Sequence, residues 1–177
     1  MSITPTSLNK NIRINGIKLS TKLVQINLLN GSHPENDRLL FFQLLSQNQI
    51  NIPFILLTCT GEKVLVSCCV ESKDIDQIKK VIDKEPTLKE NIKFISSVGA
   101  LSIFPHRSNL KLLGLSFYLL GKQNLPLYGM ASSISSLTFI MDYSQLDNAV
   151  SILLEYMDLP PNHAPFRSEI HVIQKKR

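Results

Sequence analysis

A regular alternation of apolar and polar positions follows a serine-rich turn in the second half of the chain. In residues 137–142 (LTFIMD), leucine, phenylalanine and methionine occupy every second position. This is the period of two expected of a strand with one buried face. Residues 123–127 lead into the same turn from the other side. Together the two segments predict a pair of strands around the turn.

An earlier stretch of the chain has a similar pattern. Asn51-Ile52-Pro53 precedes Asn124-Leu125-Pro126 by 73 residues, and beyond the turns Ile75-Asp76-Gln77 precedes Leu146-Asp147-Asn148 by 71 residues. The smaller offset indicates a tighter hairpin in the second copy. We therefore predict an internal repeat of roughly 70 residues.

Each copy has the element order β-α-β-β-α, which follows from hydrophobic periodicity and from capping and breaking residues. The first copy comprises a strand at 22–28, a helix capped by Asn36 or Asp37, strands at 52–59 and 63–70, and a helix capped by Ser72 or Asp74. The second copy comprises a strand at 92–103, a helix from Ser108 or Asn109 to Leu120, the hairpin, and a helix containing Leu146 to Met157. Residues 1 to about 20 have no clear pattern, which indicates either a loose arm or an ill-defined first strand.

The predicted fold class is α+β, with two ferredoxin-like units and antiparallel sheets. A complete unit of this kind is β-α-β-β-α-β, so each copy lacks its closing strand. One further strand is predicted at 167–174, and an uncovered sheet edge is a liability. We expect this C-terminal strand to be exchanged into the first unit. The first unit then comprises residues 20–90 plus 166–175, and the second comprises residues 91–160.

Composition indicates an ordinary soluble globular protein. Of 177 residues, 44% are hydrophobic and 19% are charged, which excludes a disordered chain. No apolar run approaches the roughly 18 residues of a membrane helix, and the N-terminus lacks the features of a signal peptide. Cys59, Cys68 and Cys69 lie in strand-like runs. We expect them to be buried free thiols in a reducing cytoplasm.

The distribution of charge argues against a nucleic-acid-binding protein, and the motifs argue against an enzyme or a metal-binding protein. The net charge of +5 raises nucleic acid as a partner, but the basic residues are scattered apart from Lys175-Lys176-Arg177, so we do not expect nucleic-acid binding. The four histidines have no metal-ligand spacing. No glycine-rich phosphate loop or nucleophile elbow occurs either. We predict no catalytic residue, no metal and no cofactor.

Three short segments resemble the strand and turn motifs of ACT domains. They are Ile50-Asn51-Ile52, Val98-Gly99-Ala100 and Ala131-Ser132-Ser133-Ile134-Ser135. Over residues 20–175 the chain is most similar to the tandem ACT pair at the C-terminus of aspartokinases. The resemblance implies interlocked strand exchange, association through helices or sheet edges, and binding of small ligands, usually amino acids, between paired units.

The chain departs from that family in two respects. It contains no amino-kinase domain, so aspartokinase activity is not expected of it. The Thr-Ser-Glu turn of the family is replaced by Ser132-Ser133-Ile134. The acidic residue of that turn is therefore lost, and the identity of the ligand does not follow from the resemblance.

Recognition of an amino acid requires N–H donors for its carboxylate and oxygens for its ammonium group. In the first copy Asp37 is the candidate for the ammonium, although it is equally suited to capping a helix. Arg107 is the candidate for a carboxylate in the second copy. Asn51 and Asn124 begin equivalent strands, where each is equally suited to bonding local backbone. The full set of candidate ligand-binding residues is Asn30, Gly31, Ser32, His33, Asp37, Asn51, Ile52, Gly99, Ala100, Arg107, Asn124, Leu125, Ser132 and Ser133.

The function that these observations indicate is a small cytoplasmic regulatory protein that senses an amino acid and forms a homodimer. An alternative is an interaction scaffold that dimerises through the apolar helix at 110–120 and has no working ligand site. A transcriptional regulator built from paired ACT domains is a third hypothesis, for which the sequence offers no DNA-contacting surface.

Overall fold

The computed structural model describes residues 12–29, 34–60, 63–105 and 109–167. The chain divides into two compact units. Residues 21–99 form what we call the central unit. Residues 12–20, 100–105 and 109–167 form the flanking unit. The boundary between the units therefore falls inside a strand rather than at a linker.

Ten strands and five helices occur in the described part of the chain, with short 3-10 turns at Ser72–Asp74 and Tyr143–Gln145. In chain order they are β1 (Ile12–Arg13), β2 (Gly16–Leu19), β3 (Leu23–Leu28), α1 (Pro34–Gln47), β4 (Phe54–Thr60), β5 (Lys63–Glu71), α2 (Ile75–Ile82), α3 (Pro86–Asn91), β6 (Ile92–Phe104), α4 (Leu110–Lys122), β7 (Leu127–Ser132), β8 (Leu137–Asp142), α5 (Leu146–Leu154), β9 (Met157–Asp158) and β10 (Phe166–Arg167). The mixed α+β class predicted from the sequence is confirmed.

The sheet of the central unit has the strand order β6–β3–β5–β4, with every neighbouring pair antiparallel. One face of the sheet packs against helices because alternate residues of β3 and β5 are apolar. The buried core comprises Val24, Ile26, Leu28, Phe41, Leu45, Val66, Cys68, Val70, Ile78, Ile82, Leu88 and Ile92. Helix α3, which begins with Pro86 at a position that suits proline, was not predicted.

The flanking unit is built on the second half of β6. Strand β2 pairs antiparallel with residues 101–104 of β6, and β10 pairs parallel with β2. β8 pairs with both β6 and β7. β1 and β9 form a separate parallel pair. The core of this unit contains Leu101, Ile103, Leu112, Leu115, Leu119, Phe139, Met141, Leu146 and Leu153.

Two residues of the expected C-terminal strand lie within the described chain. Phe166 and Arg167 lie beside β2 in the flanking unit, and the strand beside β6 in that unit is the N-terminal β2. Ile17 and Leu19 of β2 are each 2% exposed, and burying these side chains favours the pairing. Residues 168–175, the rest of the expected strand, lie outside the described chain.

The described helices include none that is long and apolar enough to cross a membrane. Helix α4 is apolar over much of its length. Its start is fixed by Asn109, whose side-chain oxygen accepts a hydrogen bond from the Leu112 backbone N–H at 3.1 Å. This is the capping geometry preferred for asparagine, and it confirms the predicted start of the helix.

Candidate functional site

Five predicted site residues lie outside the described part of the chain. They are Asn30, Gly31, Ser32, His33 and Arg107. The nearest described elements are the end of β3 and the first turn of α1. The candidate site is therefore built from these two elements and from Asn91, the residue that precedes β6.

Asp37 lies in the first turn of α1, three residues after the helix begins at Pro34, and its side chain is 4% exposed. Its carboxylate accepts a hydrogen bond of 3.2 Å from the side-chain amide of Asn91, which also donates to the Thr87 carbonyl at 2.8 Å. The Leu29 backbone N–H donates to the Asn91 carbonyl at 2.7 Å. Asp37 is thus not the helix cap predicted as one alternative. It is a buried carboxylate held against the end of α3.

Arg38 follows Asp37 and was not predicted as a site residue. One guanidinium nitrogen, Nη1, is buried and makes no hydrogen bond within the described structure. A buried donor without an acceptor carries a desolvation penalty, which is larger for a charged group. A carboxylate is the planar acceptor that a guanidinium pairs with best. No sequence periodicity distinguishes this arginine from one on a solvated helix face.

The two candidate asparagines are not equivalent in the structure. Asn124 has φ 53° and its N–H donates to the Gly121 carbonyl at 2.9 Å, while Leu125 donates to Leu120 at 3.1 Å. In the central unit this geometry belongs to Gln49, which has φ 57°, not to Asn51. In each unit this geometry closes the C-terminal end of a helix. These bonds are made by backbone N–H groups, so a role of the Asn124 side chain in ligand binding stays a prediction.

Asn51 and Ile52 precede β4 rather than belonging to it. Asn51 is exposed, and Ile52 packs against the core of the central unit. Leu125 is 9% exposed and belongs to the core of the flanking unit. The two apolar candidates therefore contribute their side chains to cores.

Gly99 and Ala100 are consecutive residues of β6 on either side of the unit boundary. The Ala100 backbone N–H donates to the Ser20 hydroxyl at 2.8 Å, and the Ala100 carbonyl accepts from the Ser20 N–H at 2.9 Å. Both backbone groups of Ala100 are thus used within the flanking unit. Gly99 is buried.

The serine-rich hairpin is held by its own hydrogen bonds. Ser133 donates its N–H to the Ser136 carbonyl at 2.8 Å, and its hydroxyl accepts from the Ser136 N–H at 3.1 Å. Ser132 is the last residue of β7 and is exposed, as is Ser133. These contacts stabilise the turn.

The described residues support neither a metal site nor a reactive cysteine. They include no group of three His, Cys, Asp or Glu side chains that could hold a metal ion. Cys68 and Cys69 are buried free thiols, as predicted. Burial raises the pKa of Cys68 to about 12, and burial together with the neighbouring Cys68 raises the pKa of Cys69 to about 12. A thiol with so high a pKa is a poor nucleophile at neutral pH.

A groove of the central unit does not include Asp37 or Asn91 in its lining. It is apolar and open to solvent, and is lined by Phe41, Leu44, Leu45, Asn48, Ile50, Ile78, Val81 and Ile82. Such a lining lacks the convergent polar groups that orient a small ligand. We therefore place the candidate site at the first turn of α1.

The chain resembles known proteins in its structure but not in its sequence. No protein-family model and no curated protein matches the sequence. The fold matches the ligand-free regulatory subunit of aspartate kinase from Thermus thermophilus, with a TM-score of 0.70 and 16% identity over 82% of this chain and 99% of that chain. The regulatory subunit of the Thermus flavus enzyme matches with a TM-score of 0.69 and 16% identity, over 81% of this chain and 97% of that one.

A third match is aspartokinase III of E. coli in complex with lysine and aspartate. Its TM-score is 0.59 at 13% identity, over 83% of this chain and 34% of that chain. This chain has the fold of the aspartokinase regulatory domains. The resemblance identified in the sequence is thereby confirmed at the level of the fold.

Proposed function

We propose that this chain is a regulatory protein of the ACT type, without catalytic activity, that binds an amino acid and forms a homodimer in the cytoplasm. The observation that carries the proposal is the fold match to aspartate kinase regulatory subunits over 97% and 99% of their lengths. A match over nearly whole regulatory subunits favours a regulatory role over a catalytic one.

The strand order supports two ferredoxin-like units. In the central unit α1 connects β3 to β4, and α2 with α3 connects β5 to β6. This connectivity and the order β6–β3–β5–β4 fit a β-α-β-β-α-β unit. In the flanking unit, β2 beside the second half of β6 takes the place of the closing strand. We therefore propose exchange of the N-terminal strand.

The chemistry at the first turn of α1 supports an amino acid as ligand. Asp37 is a buried carboxylate whose described partner is the neutral Asn91 amide. Arg38 has a buried guanidinium nitrogen without an acceptor in the described structure. An amino acid carries one ammonium and one carboxylate, which complement these two groups. In the comparison with E. coli aspartokinase III, that enzyme holds lysine and aspartate.

Thermal unfolding with each of the twenty amino acids at millimolar concentration tests this function. A ligand at 100 times its dissociation constant adds about 2.7 kcal/mol to the free energy of unfolding. We expect a shift with at least one amino acid, and we expect Asp37→Asn and Arg38→Gln each to reduce it. Asp76→Asn and Lys80→Gln, at exposed positions of α2, are the matched controls.

Absence of a shift with all twenty amino acids would contradict the sensor function. It would favour the scaffold alternative, which the exposed apolar residues of α4 support. Equal loss of the shift in the control variants would contradict the placement of the site at Asp37 and Arg38.

A further inference from the structure

The exposed face of α4 is apolar. Leu110, Phe117 and Tyr118 are 78%, 42% and 47% exposed, and Gly114 and Gly121 are exposed as well. These residues are spaced i, i+4, i+7, i+8 and i+11, which places them on one side of a helix. The opposite side of the helix is already packed into the core of the flanking unit.

The two glycines are unexplained by the flanking unit itself. Glycine in a helix interior destabilises the helix relative to alanine. A Cβ atom added at Gly114 or Gly121 would meet nothing within 4 Å. The packing of the described residues therefore does not require glycine at either position. Glycine on a helix surface does allow another backbone or a large side chain to approach closely.

We propose that this face docks against the same face of a second copy of the chain, with the two α4 helices antiparallel. A two-fold axis between Leu115 and Ser116 places Leu110 opposite the partner's Gly121. The same axis places Phe117 opposite the partner's Gly114. Leu110 and Phe117 thus each meet a glycine, while Tyr118 faces the partner's Leu113, so a single face is complementary to itself, as a two-fold interface requires.

The register follows from the alternation of large and small residues. Sliding one helix by about one turn would bring Gly114 opposite the partner's Gly121 and Phe117 opposite the partner's Tyr118. Two glycines would then leave a gap, while two aromatic rings would hold the helices apart. Only Lys111 and Lys122 carry charge on the exposed side of α4, and both lie beside the apolar stripe rather than within it.

A single pair of helices buries less than the roughly 1,600 Å² of a standard stable interface. We therefore expect a weak dimer whose population depends on protein concentration. This inference rests on the homodimer in the proposed function, but it does not depend on ligand binding.

Sedimentation equilibrium of the full chain and of matched variants tests the register. Gly121→Leu fills the space that the partner's Leu110 occupies, and we expect the dimer dissociation constant to rise at least about tenfold. Combining Leu110→Gly with Gly121→Leu exchanges the large and small positions. Because every leucine again faces a glycine, we expect the double variant to recover to within about threefold of the wild type. Gln43→Leu, at an exposed position of α1, is the control and should leave the constant unchanged.

Circular dichroism would verify that every variant folds, which the open space at both glycines predicts. A dimer unaffected by Gly121→Leu would overturn the inference and assign the interface to another surface. A double variant as weak as Gly121→Leu alone would overturn the proposed register. A wild type that is monomeric at all concentrations would overturn the whole inference. If Gly121→Leu then lowered the melting temperature, that result would indicate that another segment of the same chain covers α4. The amino-acid thermal shift is scored separately, so failure here leaves ligand sensing intact.

Discussion

Helices α1 and α4 occupy the same place in the element order of their units but have different exposed faces. The exposed side of α1 is mostly polar, with Gln43 and Gln47 among its residues and Leu39 as the apolar exception at 71% exposure. The exposed side of α4 carries Leu110 and the aromatic pair at 117 and 118. The helix at this position is therefore solvated on its exposed side in the central unit and exposes an apolar side in the flanking unit.

The difference extends to the buried interiors. The core of the central unit includes Cys68, and Cys69 is also fully buried. At the offset of 71 residues the flanking unit has Phe139 and Ile140, each 0% exposed. The central unit thus contains small, titratable groups in a strand where the flanking unit contains large hydrocarbons. Polar α1 and its buried Asp37 suit a unit that binds a ligand, while α4 suits one that binds a protein.

The largest expected difference concerns one phenylalanine on each helix. Phe41 on α1 is 1% exposed, whereas Phe117 on α4 is 42% exposed and meets the Phe139 ring edge-on at a centroid distance of 5.6 Å. We expect Phe41→Ala to lower the free energy of unfolding by about 3–5 kcal/mol. Phe117→Ala should cost about 1 kcal/mol, mainly through loss of the aromatic pair. Urea denaturation of dilute protein measures both, and equal losses would contradict the assigned burial.

A second difference concerns alkaline pH. The pKa values of Cys68 and Cys69 are raised to about 12 in the folded chain, above the value of about 8.5 for an unfolded thiol. Their contribution to stability is therefore complete below the unfolded pKa and falls as pH rises towards 12. We expect the two thiols together to cause a loss of about 4 kcal/mol in the free energy of unfolding between pH 8 and 10.

The measurement is urea denaturation across that pH range. A variant with Cys68→Ala and Cys69→Ala removes both thiols, and its stability should decline less steeply. Parallel pH profiles for the wild type and this variant would show that other groups cause the alkaline loss.

The smallest expected effect concerns the helix backbone. Because a Cβ at Gly114 meets nothing within 4 Å, Gly114→Ala should raise the free energy of unfolding of the monomer by about 0.5–1 kcal/mol. Gln43→Ala at an exposed position of α1 should change it by only a few tenths of a kcal/mol. Thermal unfolding of dilute protein separates the two, and a destabilised Gly114→Ala would reveal a close neighbour of α4.

The strongly periodic elements were predictable from the sequence because their periodicity reflects local burial. β6 and β8, for example, lie within a residue or so of their expected bounds. β2 was missed because it has only four residues and follows Asn15. Its stability derives from pairing with β6, more than 80 residues later. Non-local pairing leaves no periodic signal in so short a segment.

The candidate site was predictable only in part. Asp37 was identified as a site residue, but its partner Asn91 was not. Asn91 is the last residue of α3, a helix that the sequence pattern did not predict. Asn124 was matched to Asn51 because each is followed by an aliphatic residue and a proline, whereas the backbone conformation pairs Asn124 with Gln49. A residue with positive φ that ends a helix is recognised by its backbone conformation. Glutamine and asparagine both adopt that conformation here, but they share no sequence pattern from which the equivalence could be predicted.

Hydrogen exchange measured by mass spectrometry tests the contrast between the units most directly. The protein is compared at low and high concentration, each with and without the amino acid that raises its melting temperature. We expect high concentration to protect residues 110–122 and the amino acid to protect the peptide that covers Asp37 and Arg38. Concentration-dependent protection of α1, or ligand protection confined to α4, would contradict this expectation.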